Sequence, residues 1–133
     1  MVTSFKAEIL GGIQDLDTDV IKIALYTSAA SLDATTTVYT TSSEVVGTGY
    51  TAGGNTLASP TISTSGTTAY VDFADSSWTT ATITARGALI YNSSKSNKAI
   101  AVLDFGSDKT STAGTFTVQM PANNATDALI RIA

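Results

Sequence analysis

Residues 81–105 read Ala81-Thr-Ile-Thr-Ala-Arg-Gly-Ala-Leu-Ile-Tyr91, then Asn92-Ser-Ser-Lys-Ser-Asn97, then Lys98-Ala-Ile-Ala-Val-Leu-Asp-Phe105. Ile83, Ala85, Gly87, Leu89 and Tyr91 fall at every second position, which is the side-chain period of a strand. The polar run 92–97 separates two apolar runs. Segments 81–91 and 98–105 are therefore expected to fold back on each other as an antiparallel hairpin.

The same reading extends in both directions. Residues 106–114 are small and polar and are expected to form a loop. Thr115-Phe-Thr-Val-Gln-Met120 alternates, with Phe116, Val118 and Met120 facing inward. Residues 121–127 turn the chain, and Ala128-Leu-Ile-Arg-Ile-Ala133 reads as a last strand. Upstream, Thr68–Ala74 alternates, with Val71 and Phe73 opposite Tyr70, Asp72 and Ala74. Trp78 follows in a turn-like Asp-Ser-Ser-Trp. Segment 56–63 reads as a strand that Pro60 restricts to a sheet edge, because proline has no N–H for a central ladder.

Val20-Ile-Lys-Ile-Ala-Leu-Tyr-Thr27 is the strongest strand signal of the first half, preceded by a turn at 15–19. Segment 28–43 holds few large apolar residues and is expected to be a long loop or weak strand. Gly47, Gly49, Gly53 and Gly54 predict bulges and tight turns where another backbone or a partner chain comes close. At the start, Ser4–Ile13 reads as a short helix, with a strand as the alternative. Ser4 is the expected N-cap, Phe5, Ile9 and Leu10 the apolar side, and Gly11-Gly12 the stop.

Seven or eight short, mostly antiparallel strands spaced near ten residues define the expected fold class. It is all-β, a single domain over 1–133, built as a β-sandwich or small barrel.

Composition agrees. Of the 133 residues only 14% are charged, below the quarter usual for globular chains. Thr and Ser, roughly three residues in ten, supply the polarity instead. The branched Thr side chain fits a pleat. A formal charge of −4, with seven scattered basic residues, argues against direct contact with nucleic acid. There is no Cys and no His, which removes disulfides, Cys/His zinc sites, thiol nucleophiles and His-based triads. No apolar run reaches the ~18 residues of a membrane helix. The opening residues lack the basic-then-apolar pattern of a secretion signal, so assembly in the cytoplasm is expected.

Four places in the chain carry residue types that could do chemistry. Asp15, Asp17 and Asp19 begin like a calcium loop, but Val20 and Tyr26 occupy the positions that need Gly and Glu, so a solvated turn is expected. The Gly47–Gly54 stretch lacks the Lys-Ser/Thr that closes a phosphate loop. Asp72, Asp75, Asp104 and Asp108 could pair for glycoside hydrolysis only inside a cleft that desolvates one of them. Asp72 and Asp104 are expected at strand ends or turns, bonding backbone N–H groups. Trp78, with Tyr70 or Tyr91, could stack on a sugar, but a core role is favoured. Neither a catalytic residue nor a cofactor or metal is expected.

A further signal is the order of certain segments. They are Phe5-Lys-Ala-Glu-Ile-Leu-Gly-Gly12, Asp17-Thr-Asp-Val-Ile-Lys-Ile-Ala-Leu-Tyr-Thr-Ser28 and Glu44-Val-Val-Gly-Thr-Gly-Tyr-Thr-Ala-Gly-Gly54. Trp78–Tyr91, Val102-Leu-Asp-Phe-Gly-Ser-Asp-Lys109, Gly114-Thr-Phe-Thr-Val-Gln119 and Leu129-Ile-Arg-Ile132 complete the series. Together, over almost the whole chain, these resemble a family of small virion proteins of tailed bacteriophages and prophages. The resemblance implies a structural role in the particle and supplies no catalytic residues. The favoured form is a head decoration (cement) protein on the capsid exterior, bound to the major capsid protein. By analogy with cements at local threefold positions it would be a homotrimer. A neck, tail or fibre-base component is the second reading, a carbohydrate-binding module the third and a small Asp-based hydrolase the last. Segment 28–43 or the N-terminal segment is expected to touch the shell or a neighbouring copy. Phe5, Val38, Tyr39, Tyr50 and Trp78 are the candidate interface residues.

Overall fold

The computed structural model describes all 133 residues. The hairpin at 81–105 is present, and it is far longer than its apolar core suggested. Strand β5, Ser76–Asn92, pairs antiparallel with β6, Lys98–Val118, around a short 3-10 turn at Ser93–Lys95. Segment 106–114, expected as a loop, belongs to β6, and Trp78, expected in a turn, lies in β5. Apolar alternation fades there because β6 is mostly exposed in its middle. Pairing continues through polar contacts, such as the Ser111 hydroxyl donating to Ala81 O at 2.8 Å and Ala113 N–H donating to Thr82 Oγ1 at 3.1 Å. The register breaks between Trp78 and Ala81, Ala81 and Ile83, and Ala85 and Gly87. Such bulges bend a ribbon. Here β6 curls enough to bring the Phe105 ring within 6.4 Å of Phe116.

The large sheet has the order β2-β1-β5-β6, with β1 at Ile21–Tyr26 and β2 at Asn55–Thr56. β1 lies between β2 and β5 and is buried on nearly every side chain. The small sheet has the order β3-β4-β7, with β3 at Thr61–Ser65, β4 at Thr68–Asp72 and β7 at Ile130–Ile132. All pairings are antiparallel. The molecule is thus a small β-sandwich of seven strands with one short helix. Pro60 falls between β2 and β3 and splits the single strand expected there, and both pieces lie at sheet edges.

Helix α1, Thr3–Leu10, begins one residue before the expected cap. Val2 holds the N-cap position because its N–H donates to Ile100 O and its side chain is buried. Ser4 falls inside the helix, and its hydroxyl is buried without a partner. Phe5 enters the core and Ile9 packs against it, but Leu10 turns outward and is 89% exposed. The helix ends at the glycine pair, where Gly11 N–H donates to Ala7 O and Gly12 supplies φ +69°. One continuous core of 28 buried residues joins the helix to both sheets. Leu89 and Ile90 at its centre are fully buried, each stabilising the fold by roughly 1.5–3 kcal/mol relative to exposure.

Candidate functional site

Segment 28–43, expected like the N-terminal segment to touch a partner, runs on into the glycine-rich stretch that ends at Gly54. Together they close the open sides of the large sheet. Val38 bridges Lys98, Ala99 N–H donates to Thr37 O, and Tyr39 N–H donates to Asn97 O. The start of β6 is thereby covered. Further on, Glu44 bridges Tyr26, and Val45 N–H donates to Leu25 O, which covers the end of β1.

A buried carboxylate ties these passages together. Glu44 is buried, and its Oε1 accepts the Tyr39 hydroxyl at 2.5 Å. Its Oε2 accepts the Tyr50 hydroxyl at 2.6 Å and Gly53 N–H at 2.8 Å. The Tyr50 oxygen in turn accepts Leu25 N–H at 2.9 Å. Tyr91 donates to Gly53 O at 2.7 Å, and Tyr26 to Thr40 O at 2.6 Å. The Tyr39 and Tyr91 rings stack at 4.6 Å. Every donor of the cluster has an acceptor, as a buried polar network requires.

Burial, reinforced by the Glu44 charge, raises Tyr26, Tyr39 and Tyr50 well above the ordinary phenol range. The same causes push Tyr91 up to about 12. These phenols remain protonated at neutral pH, so they act as donors and not as nucleophiles. Sequence reading passed over Glu44. The signal available was a lone acidic residue against Val45-Val46 in a charge-poor chain.

The glycines of 47–54 serve close backbone approach, as expected. A Cβ on Gly54 would sit 1.8 Å from Ile23 O, and one on Gly47 would sit 2.3 Å from Thr82 O.

Of the five candidate interface residues, three are core. Phe5, Tyr50 and Trp78 are buried, Trp78 with Tyr50 and Phe116 around it. Their side chains are large and apolar, and closing the sandwich satisfies them better than a surface would. Tyr39 is half-buried at the tyrosine cluster. Only Val38 is exposed, and Val46, eight residues further on and not singled out, stands 98% exposed.

The carboxylates are dispersed. Asp15 accepts Asp17 N–H, Thr18 N–H and the Thr18 hydroxyl, chiefly the last of which holds its pKa below the ordinary carboxylate value. Asp19 accepts from Asn92 Nδ2 at 2.7 Å, fastening this turn to the hairpin end. Asp72, 3% exposed, ends β4 and accepts Phe73 N–H, and desolvation raises its pKa. Asp75 accepts Met120 N–H at 2.7 Å, and Asp104 accepts Gly106 N–H at 2.8 Å. Asp72 and Asp104 thus bond nearby backbone, as read from the sequence, but only Asp72 ends a strand, whereas Asp104 lies within β6 beside its bulge. No helix is long and apolar enough to cross a membrane.

An apolar hollow lies elsewhere. A groove of about 380 Å³ runs between α1 with its following turn and the inner face of the small sheet. Phe5, Ile9 and Leu16 form one wall, and Ile62, Val71 and Ile130 the other.

Compared with protein-family models, curated proteins and solved structures, the chain matches none.

Proposed function

We propose that the protein is a structural component of a bacteriophage particle, a decoration protein that binds the outer face of the capsid lattice and reinforces the head. The reading rests on the resemblance of the ordered series of segments, from Phe5–Gly12 to Leu129–Ile132, to small phage virion proteins. The geometry supports it from a second side. The Glu44 cluster spends its hydroxyls and carboxylate on internal bonds, and the surface left outside is rich in Thr and Ser and poor in charge. Such a surface suits dense packing of copies, because like-charge repulsion between neighbours is small.

Val38 and Val46 are apolar and exposed on passages that the Tyr39–Glu44 hydrogen bond ties together. They are the shell contacts in this reading, on passages that cover opposite edges of the large sheet, and the protein is assembled in the host cytoplasm onto the major capsid protein. The carbohydrate reading loses its main anchor with Trp78 in the core.

Quantitative mass spectrometry of purified particles tests the assignment. A decoration protein is present in hundreds of copies per head. A count of about a dozen would move the chain to the neck or tail. Absence from the particle would end the virion reading. The Val38→Asp/Val46→Asp double variant should fold normally and lose head binding in co-sedimentation.

A further inference from the structure

Four sheet edges exist in this molecule, and three are blunted. β2 has only two residues. β6 is covered at its start by Val2 and by 37–39. Beyond that it is broken at 105–108, where Gly106 has φ +81° and Asp108 and Lys109 add charge, while Phe105 leans over Phe116. β7 has three residues and carries Arg131. Short length, bulges and charge are the devices that keep edges from pairing.

β3 has none of them. Thr61-Ile-Ser-Thr-Ser65 is uncharged, pairs with β4 in unbroken register, and exposes four of its five side chains. We propose that β3 is a self-association edge, pairing antiparallel with β3 of a second copy across a twofold axis. The inference concerns solution contacts between copies and stands independently of the virion reading.

The register follows from the hairpin. β3 and β4 are joined by the two residues Gly66 and Thr67, so Ser65 and Thr68 exchange hydrogen bonds across the turn. Alternation then turns Ser63 and Thr61 toward β4 and leaves the N–H and C=O groups of Ile62 and Thr64 facing outward. A twofold axis at Ser63 sets Ile62 opposite Thr64 of the copy on one face, and Ser63 opposite itself on the other. No like charges meet, although the chain carries net charge −4. On the groove face Ile62 is 54% exposed, and pairing brings it against the copy's Thr64 methyl.

The result is a six-stranded sheet, β7-β4-β3 continued by its symmetry mate. A strand pair of this length covers less than the ~1,000 Å² of a durable interface, so association is weak in dilute solution and grows at high local concentration. The arrangement is twofold, in place of the threefold one that capsid analogy implies.

Analytical ultracentrifugation of the full chain up to about 1 mM tests it. The weight-average mass should rise from 13.6 kDa toward twice that value. Thr64→Lys, and Thr64→Pro, which removes only an outward N–H, should keep the far-UV spectrum and abolish the rise. Because the chain has no cysteine, Ser63→Cys offers a register-specific check. It should oxidise to a covalent dimer, since directly opposed residues of such a pair have Cα atoms about 4.5 Å apart, within disulfide reach. Thr61→Cys, placed opposite Ser65, should not. A monomer at every concentration, a mass near three times the chain, or equal cross-linking of both cysteine variants would overturn the proposal.

Discussion

The two sheets solve the same burial problem to different degrees. In the large sheet β1 and the inner half of β5 are buried on both faces, and loops 37–39 and 43–45 close the edges. In the small sheet one face is a half-open apolar groove, β3 is mostly exposed, and Ile62 and Ile132 are each more than half exposed. The difference teaches where stability and adaptability are separated in this fold. The large sheet and its tyrosine cluster hold the structure. Of the two sheets, the small one keeps an uncharged edge in unbroken register at β3 and, at Ile62 and Ile132, uncovered apolar side chains, the features through which chains meet other chains.

Glycine substitution sets the two regions apart most strongly. Gly54→Ala places a methyl 1.8 Å from Ile23 O at φ +74°, so overlap and backbone strain together cost on the order of 2–6 kcal/mol. Gly66→Ala in the small-sheet hairpin has comparable φ, +59°, but nothing within 4 Å, so only the strain remains, about 1 kcal/mol. Urea denaturation of both variants measures the gap, and equal losses would mean that the loop at 53–54 yields more easily than its packing implies.

Truncation gives the next effect. Leu89→Ala, in the fully buried centre of β5, should lose about 2–5 kcal/mol, while Ile62→Ala should lose under about 1 kcal/mol in the monomer because its side chain is half in water. If Ile62→Ala proves as damaging as Leu89→Ala, the small sheet is as well packed as the large one, and the contrast fails.

The smallest effect at neutral pH is the most specific. Tyr26, Tyr39, Tyr50 and Tyr91 have folded pKa values raised above 10.0, so the native state favours their protonated forms. Stability from this source is complete below pH 10 and declines as pH rises toward about 12, where Tyr91 titrates. Urea midpoints followed from pH 8 to pH 12 by phenolate absorbance should show that decline, and Tyr91→Phe should make it shallower. A flat profile would place these hydroxyls in water.

Much of this was legible beforehand. The 81–105 hairpin, the strand at 20–27, the inward Phe116 and Val118 and the stop at Gly11-Gly12 all rest on local periodicity or on glycine geometry, which a short window of chain contains. The extension of β6 through 106–114 was not legible, because its pairing uses hydroxyls and exposed residues that resemble a loop. Helix capping misled for a related reason. Ser4 is a good local cap, but a tertiary bond to Ile100 fixed Val2 first.

The amino-acid sequence by itself determined an all-β chain without thiol or imidazole chemistry, because side-chain period and composition act residue by residue. Only the tertiary structure decided that Phe5, Tyr50 and Trp78 are core, that Glu44 gathers Tyr39, Tyr50 and Gly53, and that β3 is the bare edge. Those outcomes depend on which distant segments cover which surfaces. Burial and edge pairing belong to the assembled layers and have no local signature in the chain.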